Sequence, residues 1–243
     1  MILGITGGVG SGKSTVLDYL KTGYGAFLIE CDEVARKLQQ PGGECYEPMR
    51  RLFGDQACLN KDGTIDRKAV AQIVFSDEEK LKALNRIVHP AVKRRVRELI
   101  RNYCDSIGDS PHLAAERREG ATPHLAAERS EGAFPYLAAE RSEGASHLVV
   151  IEAALLLEDN YGEICDEIWY VYADEHARRR RLKQSRGYSD DKITGMLANQ
   201  RSDLSFRENC TVTIDNSSEN LQNTFRQIDE ALARRGVLKA VRR

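Results

Sequence analysis

Residues Ile2-Leu3-Gly4-Ile5-Thr6-Gly7-Gly8-Val9-Gly10-Ser11-Gly12-Lys13-Ser14-Thr15 decide the fold. An apolar strand pattern runs straight into G-x-x-x-x-G-K-S, with a helical pattern after it. That order is the context a phosphate-binding P-loop requires. The glycines Gly7, Gly8, Gly10 and Gly12 allow the backbone to curl until successive N–H groups face a phosphate oxygen. Lys13 is expected to reach the β- and γ-phosphates of a nucleoside triphosphate, and the Ser14 hydroxyl to ligate Mg²⁺. A helix starting near Lys13 aims its positive dipole end at the same anion. Residues Gly8, Val9, Gly10, Ser11, Gly12, Lys13, Ser14 and Thr15 are therefore the expected ATP-binding loop.

Composition narrows the class. The chain has 243 residues, 36 basic and 37 acidic, and a net charge of −1. Nothing in that balance draws it to nucleic acid or to an anionic membrane. Six cysteines are spread along the chain without a C-x-x-C pair, as ordinary thiols of a reducing compartment would be. No apolar run approaches the ~20 residues of a membrane span. The chain enters the P-loop strand at once, so no leader is expected and a cytoplasmic enzyme is the reading.

Strands are predicted at Ile2–Thr6, Ala26–Glu30, Leu148–Glu152, Glu167–Tyr172 and Val212–Asp215. Helices are predicted near 13–22, 33–40, 66–75, 77–104, 174–185, 189–200 and 218–235. Alternation of this kind gives a parallel sheet covered on both faces, with ligands at the carboxyl ends of its strands. The core would comprise residues 1–59 and 147–243. Within 60–110 a helical period (Val70, Val74, Leu84, Val88, Val92, Val96) points to an inserted helical subdomain for a second substrate. The bland alternative is that these helices only cover the sheet.

Residues 111–146 differ in kind. They are three tandem copies of a twelve-residue unit beginning at Pro111, Pro123 and Pro135. Each has proline in front, Leu-Ala-Ala-Glu-Arg in the middle and a glycine stop. One copy offers about two helical turns, too little to stand alone. The array joins the front of the third strand, and so is expected to project away from the P-loop as an exposed insertion without a catalytic part.

Two further features could choose the acceptor. Asp32, directly after the second strand, could orient or deprotonate an attacking hydroxyl; it could equally cap the next helix. Arg178–Arg181 and Arg186 follow the fourth strand. Four consecutive residues cover a full helical turn, so at most two of that run could reach a phosphate. They could form a lid, at about 178–195, or simply a solvated basic face.

Together these residues resemble the dephospho-coenzyme A kinase family. The resemblance rests on the P-loop with Thr6 and its double glycine, Glu30-Cys31-Asp32, His89-Pro90, Leu155-Leu156-Leu157-Glu158, Arg181-Leu182 with Arg186, Gln200-Arg201 and Ile214-Asp215-Asn216. It covers the chain apart from 111–146. The chain departs from the family pattern in three places: Glu30 stands for an aspartate, Ala154 for a proline, and the pair Cys210-Thr211 for Ala-Asp.

The resemblance implies an α/β P-loop fold of the nucleotide-kinase type, a five-stranded parallel sheet with an inserted helical acceptor subdomain and a lid. It implies phosphorylation of the ribose 3′-hydroxyl of dephospho-coenzyme A by ATP with Mg²⁺. Asp32, Lys13 and Arg181 would be catalytic, with Thr6, His89 and Arg186 on the acceptor or lid side. A different nucleoside or nucleotide kinase is the nearest rival. A regulatory switch would want a guanine-reading Asn-Lys-x-Asp, whereas Asn60-Lys61-Asp62-Gly63 lacks the last aspartate.

Overall fold

The computed structural model describes residues 1–108, 148–153 and 155–240. The repeat array at 111–146, with its expected placement away from the P-loop, and Ala154 lie outside the described residues.

Five strands form the sheet: β1 (Ile2–Thr6), β2 (Phe27–Glu30), β3 (Val149–Glu152), β4 (Glu167–Tyr172) and β5 (Val212–Asp215). Their spatial order is β2-β3-β1-β4-β5, and β1 pairs in parallel with both β3 and β4. Each strand matches its expected span to within a residue. The reason is compositional: short β-branched and aromatic runs buried on both faces leave little alternative to a central parallel strand. β1 carries Leu3 and Ile5 fully buried, and β4 carries Trp169 and Val171.

Helices flank the strands. In sequence order they are α1 (Lys13–Tyr24), α2 (Cys31–Leu38), α3 (Tyr46–Phe53), α4 (Asp55–Cys58), α5 (Arg67–Ser76), α6 (Glu78–Ser106), α7 (Glu175–Arg186), α8 (Asp190–Ala198), α9 (Asp203–Asn209) and α10 (Leu221–Ala233). Three of these, α3, α4 and α9, have no counterpart among the predicted helices. They are only 4–8 residues long, too short for a 3.6-residue period to register. α6 runs 29 residues and passes through Pro90. The ring removes one backbone hydrogen bond, which the packed stripe Val92, Val96 and Ile100, all buried, outweighs. Leu81, in the first turn of α6, is exposed.

The chain divides into two compact units, residues 1–28 with 101–243, and residues 29–100. The first holds a core of Leu3, Ile5, Val16, Leu20, Trp169, Ile214, Ile228 and Leu232. There α1 and α10 are also tied by polar bonds, since the Tyr19 and Tyr24 hydroxyls both donate to Asp229 Oδ1, at 2.8 and 2.7 Å. Burial, and then that carboxylate, raise the Tyr24 pKa. The second unit has its own core of Cys45, Tyr46, Met49, Cys58, Ile65, Val70 and Ala91, packed by Leu84, Ile87 and Val88. Its α5 begins at a cap: Asp66 accepts from the N–H groups of Lys68 and Ala69.

All six cysteines are free thiols, five of them buried. No helix among the described residues is long and apolar enough to cross a membrane.

Two stability measurements follow from this packing. Leu3→Ala, which empties a fully buried site at the centre of the sheet, should lower unfolding free energy by about 3 kcal/mol in urea titration. Asp66→Ala, which removes only a cap from α5, should cost about 1 kcal/mol in the same assay.

Candidate functional site

The P-loop leaves the carboxyl end of β1 and turns directly into α1. Gly12, the N-cap of α1, has φ 85°. That left-handed backbone suits glycine. A Cβ there would also run into the Asn216 amide nitrogen. Among the described residues no acceptor takes the N–H of Gly10 or Gly12. Two neighbouring unbonded amides at a helix start form a concavity suited to an anion. The Ser11 hydroxyl is buried and, among the described residues, has no partner. An orphaned buried donor of this kind costs about 1–3 kcal/mol until something bonds it.

Lys13 Nζ donates to Gly7 O at 2.9 Å, folding back over the loop. It also lies 3.8 Å from Glu152 Oε1. Glu152 ends β3, directly across from Ile5 of β1 in the sheet register. It stood inside the predicted third strand, but nothing in its spacing marked it as a site residue. Adjacency of β3 to β1 is what brings it in, and strand order cannot be read from local pattern.

The loop's outward-facing polar groups are held by residues far along the chain. Arg181 donates from Nη1 to Ser11 O at 3.2 Å and from Nη2 to Asn216 O at 2.7 Å. Asn216, 1% exposed, donates from Nδ2 to the same Ser11 O at 2.9 Å. Its own Oδ1 accepts from the Thr224 hydroxyl at 3.1 Å. Arg178 donates from Nε to Val9 O at 2.9 Å and bonds Gln200 Oε1 through Nη2. Val9 N–H donates to that same Gln200 oxygen at 3.2 Å. Val9 thus departs from the expectation for an ATP-binding amide, because its N–H points to Gln200.

Of the four consecutive arginines, two turn to the loop, as helical geometry allows. They are Arg178 and Arg181, three residues apart on α7. Arg179 turns away to Glu175 and Thr194, and Arg180 to Glu219. Arg181 has no carboxylate at ion-pair distance among the described residues. Burial first, then the charge of Arg180, lower its pKa from the ordinary guanidinium value. An anion bound at the loop would counter both effects.

The other expected residues stand differently. Thr6 is buried at the end of β1. Ser14 is exposed in the first turn of α1. Arg186 closes α7, exposed, beside Tyr188, whose hydroxyl pKa it lowers by hydrogen bonding. Asp32 and His89 belong to the unit of residues 29–100. The capping alternative for Asp32 is corrected: α2 begins at Cys31 with Glu30 at the cap position. Asp32 lies exposed in the first turn, where its charge complements the helix dipole. The sequence places Arg178 only within the run of four arginines and does not single it out. The signal that pairs it with Arg181 is their spacing of three residues, which puts both on one face of a helix.

The family model described as dephospho-CoA kinase matches residues 1–121. Dephospho-CoA kinase of Shouchella clausii is 31% identical over 96% of this chain and 98% of its own. That of Geobacter sulfurreducens is 33% identical, over 96% and 98%. Among solved structures, one from Thermus thermophilus has a TM-score of 0.68 at 25% identity, covering 96% of each chain. The dephospho-CoA kinase of Campylobacter jejuni shares the fold, with a TM-score of 0.60 at 17% identity over 97% of each chain. Strand order, the strand-to-helix P-loop and relatedness over nearly the full length agree: the chain belongs to the dephospho-coenzyme A kinase family.

Proposed function

We propose that this chain transfers the γ-phosphoryl group of ATP to the ribose 3′-hydroxyl of dephospho-coenzyme A, releasing ADP and coenzyme A. The observation that carries the reading is an intact, fully braced P-loop in a chain about 30% identical to dephospho-CoA kinases along almost their whole length. The cytoplasm, where ATP is at hand and thiols stay reduced, suits its six free cysteines.

Phosphoryl transfer asks little covalent chemistry of the protein; it asks for positioning and charge stabilisation. The free amides of Gly10 and Gly12 supply donors at the head of α1, and Lys13 supplies a point charge. Arg181 commits two of its five N–H donors to carbonyls. Its charge is thereby fixed beside the loop, where it offsets the negative charge spreading over the transferred group.

Mg²⁺ fits the oxygen donors available here. The Ser14 hydroxyl stands exposed at the loop's end and the Glu152 carboxylate lies beside Lys13. A hard cation needs only one or two such protein oxygens besides phosphate and water. When bound it would neutralise charge on the β- and γ-oxygens.

Asp32 is assigned to accept or orient the acceptor's 3′-hydroxyl proton. Support comes from its type, its exposure in the first turn after β2, and the family motif it stands in. Residues 60–110, with His89, are assigned to the acceptor, and Arg186 to the lid. The array at 111–146 is assigned no catalytic part.

An ADP-release assay with a panel of hydroxyl acceptors tests the reaction. ADP should form only when dephospho-coenzyme A is present; its absence would remove the proposal. Asp32→Asn should lower kcat by about 10²–10⁴ while leaving KM for ATP within about threefold. Near-normal kcat in that variant would take Asp32 out of the mechanism. Deleting 111–146 should leave turnover within about twofold, as for an exposed insertion.

A further inference from the structure

One P-loop residue is bonded on both of its main-chain polar groups by a pair of side chains that also bond each other. Val9 C=O accepts from Arg178 Nε at 2.9 Å, and Val9 N–H donates to Gln200 Oε1 at 3.2 Å. Arg178 Nη2 closes the ring onto the same Gln200 oxygen. Arg178 lies in the first turn of α7, and Gln200 follows α8. Between those points α7 and α8 are joined by Arg179 to Thr194 and Lys183 to Asp190. The α7–α8 hairpin is therefore rooted at both ends on a single residue of the loop.

Gly8 sits against this ring. A Cβ at Gly8 would lie 2.6 Å from Arg178 Nη2 and 2.6 Å from Gln200 Oε1. Gly8 is not among the glycines with positive φ, so its backbone would accept alanine. Both colliding atoms are the ends of side chains that can swing away. The collision would thus be relieved by opening the ring and releasing Val9.

We propose that Arg178 and Gln200 are positioning residues that hold the P-loop in its phosphate-accepting shape through Val9, and that Gly8 is glycine to make room for them. Neither side chain needs to touch nucleotide for this role. Freed from the ring, the peptides on either side of Val9 can rotate, and the loop populates shapes whose amides no longer converge. Apparent affinity then falls by the fraction of molecules still competent. The cost falls on ATP binding, because Val9 belongs to the P-loop. The proposal rests on the P-loop as the ATP site and is independent of which acceptor is used.

The test is a double-mutant cycle on the full chain, with ATP affinity measured by titration calorimetry in the absence of acceptor. Wild-type chain that binds no ATP would refute the proposed function itself, and the outcomes below are read only against wild-type binding. Arg178→Ala should weaken ATP binding by about tenfold, and Arg178→Lys should recover part of the loss by keeping one donor for Val9. Gly8→Ala should weaken binding by a similar, about tenfold, factor in the wild-type background and by less than about twofold in Arg178→Ala/Gln200→Ala. That non-additivity is something a merely structural pair would not produce. Equal losses from Gly8→Ala in the two backgrounds would show that Gly8 serves the phosphate directly and would overturn the proposal. So would an Arg178→Ala chain with wild-type ATP affinity. Thermal melting confirms that each variant is folded, and the lysine variant serves where alanine does not fold.

Discussion

A loop that turns its N–H groups inward to greet an anion must turn carbonyls outward, and those carbonyls need donors of their own. This requirement organises the nucleotide half of the molecule. Ser11 O takes two donors at once, from Arg181 and Asn216; Val9 O takes one from Arg178. The donors come from two parts of the fold far along the chain from the loop. Arg178 and Arg181 come from α7 after β4, and Asn216 follows β5. The strand order that puts β4 beside β1 and β5 beside β4 is what allows these side chains to converge.

The same requirement explains the buried polar residues. Asn216 is nearly inaccessible yet fully engaged, its amide between Ser11 O and the Thr224 hydroxyl, its own N–H on Tyr172 O. An asparagine can serve donor and acceptor in opposite directions, which an apolar residue of equal size could not. The Ser11 hydroxyl stands apart. It is the single buried side-chain polar atom without a partner among the described residues, and it lies within the loop that awaits an anion.

Much of this was legible in the sequence, and the reasons differ by element. The strands were clear because buried parallel strands are dense runs of Val, Ile and Tyr bounded by helical periods. The P-loop was clear because its spacing is dictated by phosphate geometry. Helices α3 and α4 were not, being shorter than the window in which periodicity shows. Glu152 has no sequence signal, and Arg178 none that separates it from its neighbouring arginines, because their importance comes from strand adjacency and helix facing, which are properties of the assembled fold. Arg181 was found, but as a residue expected to reach phosphate; the structure adds that it holds two backbone carbonyls. Asp32 was read with two possible roles, and the start of α2 at Cys31 removed the capping one.

The bonds that shape the loop join residues separated by 169, 170, 191 and 205 positions. Contacts of such span form late, because the chain entropy of closing those loops must be met first. The glycine-rich segment is made well before these partners, yet it acquires its shape only when α7, Gln200 and Asn216 have been made and docked. Competence to hold nucleotide is therefore a marker of completed folding. A truncated or half-folded copy would carry the whole motif and still leave the cell's ATP untouched.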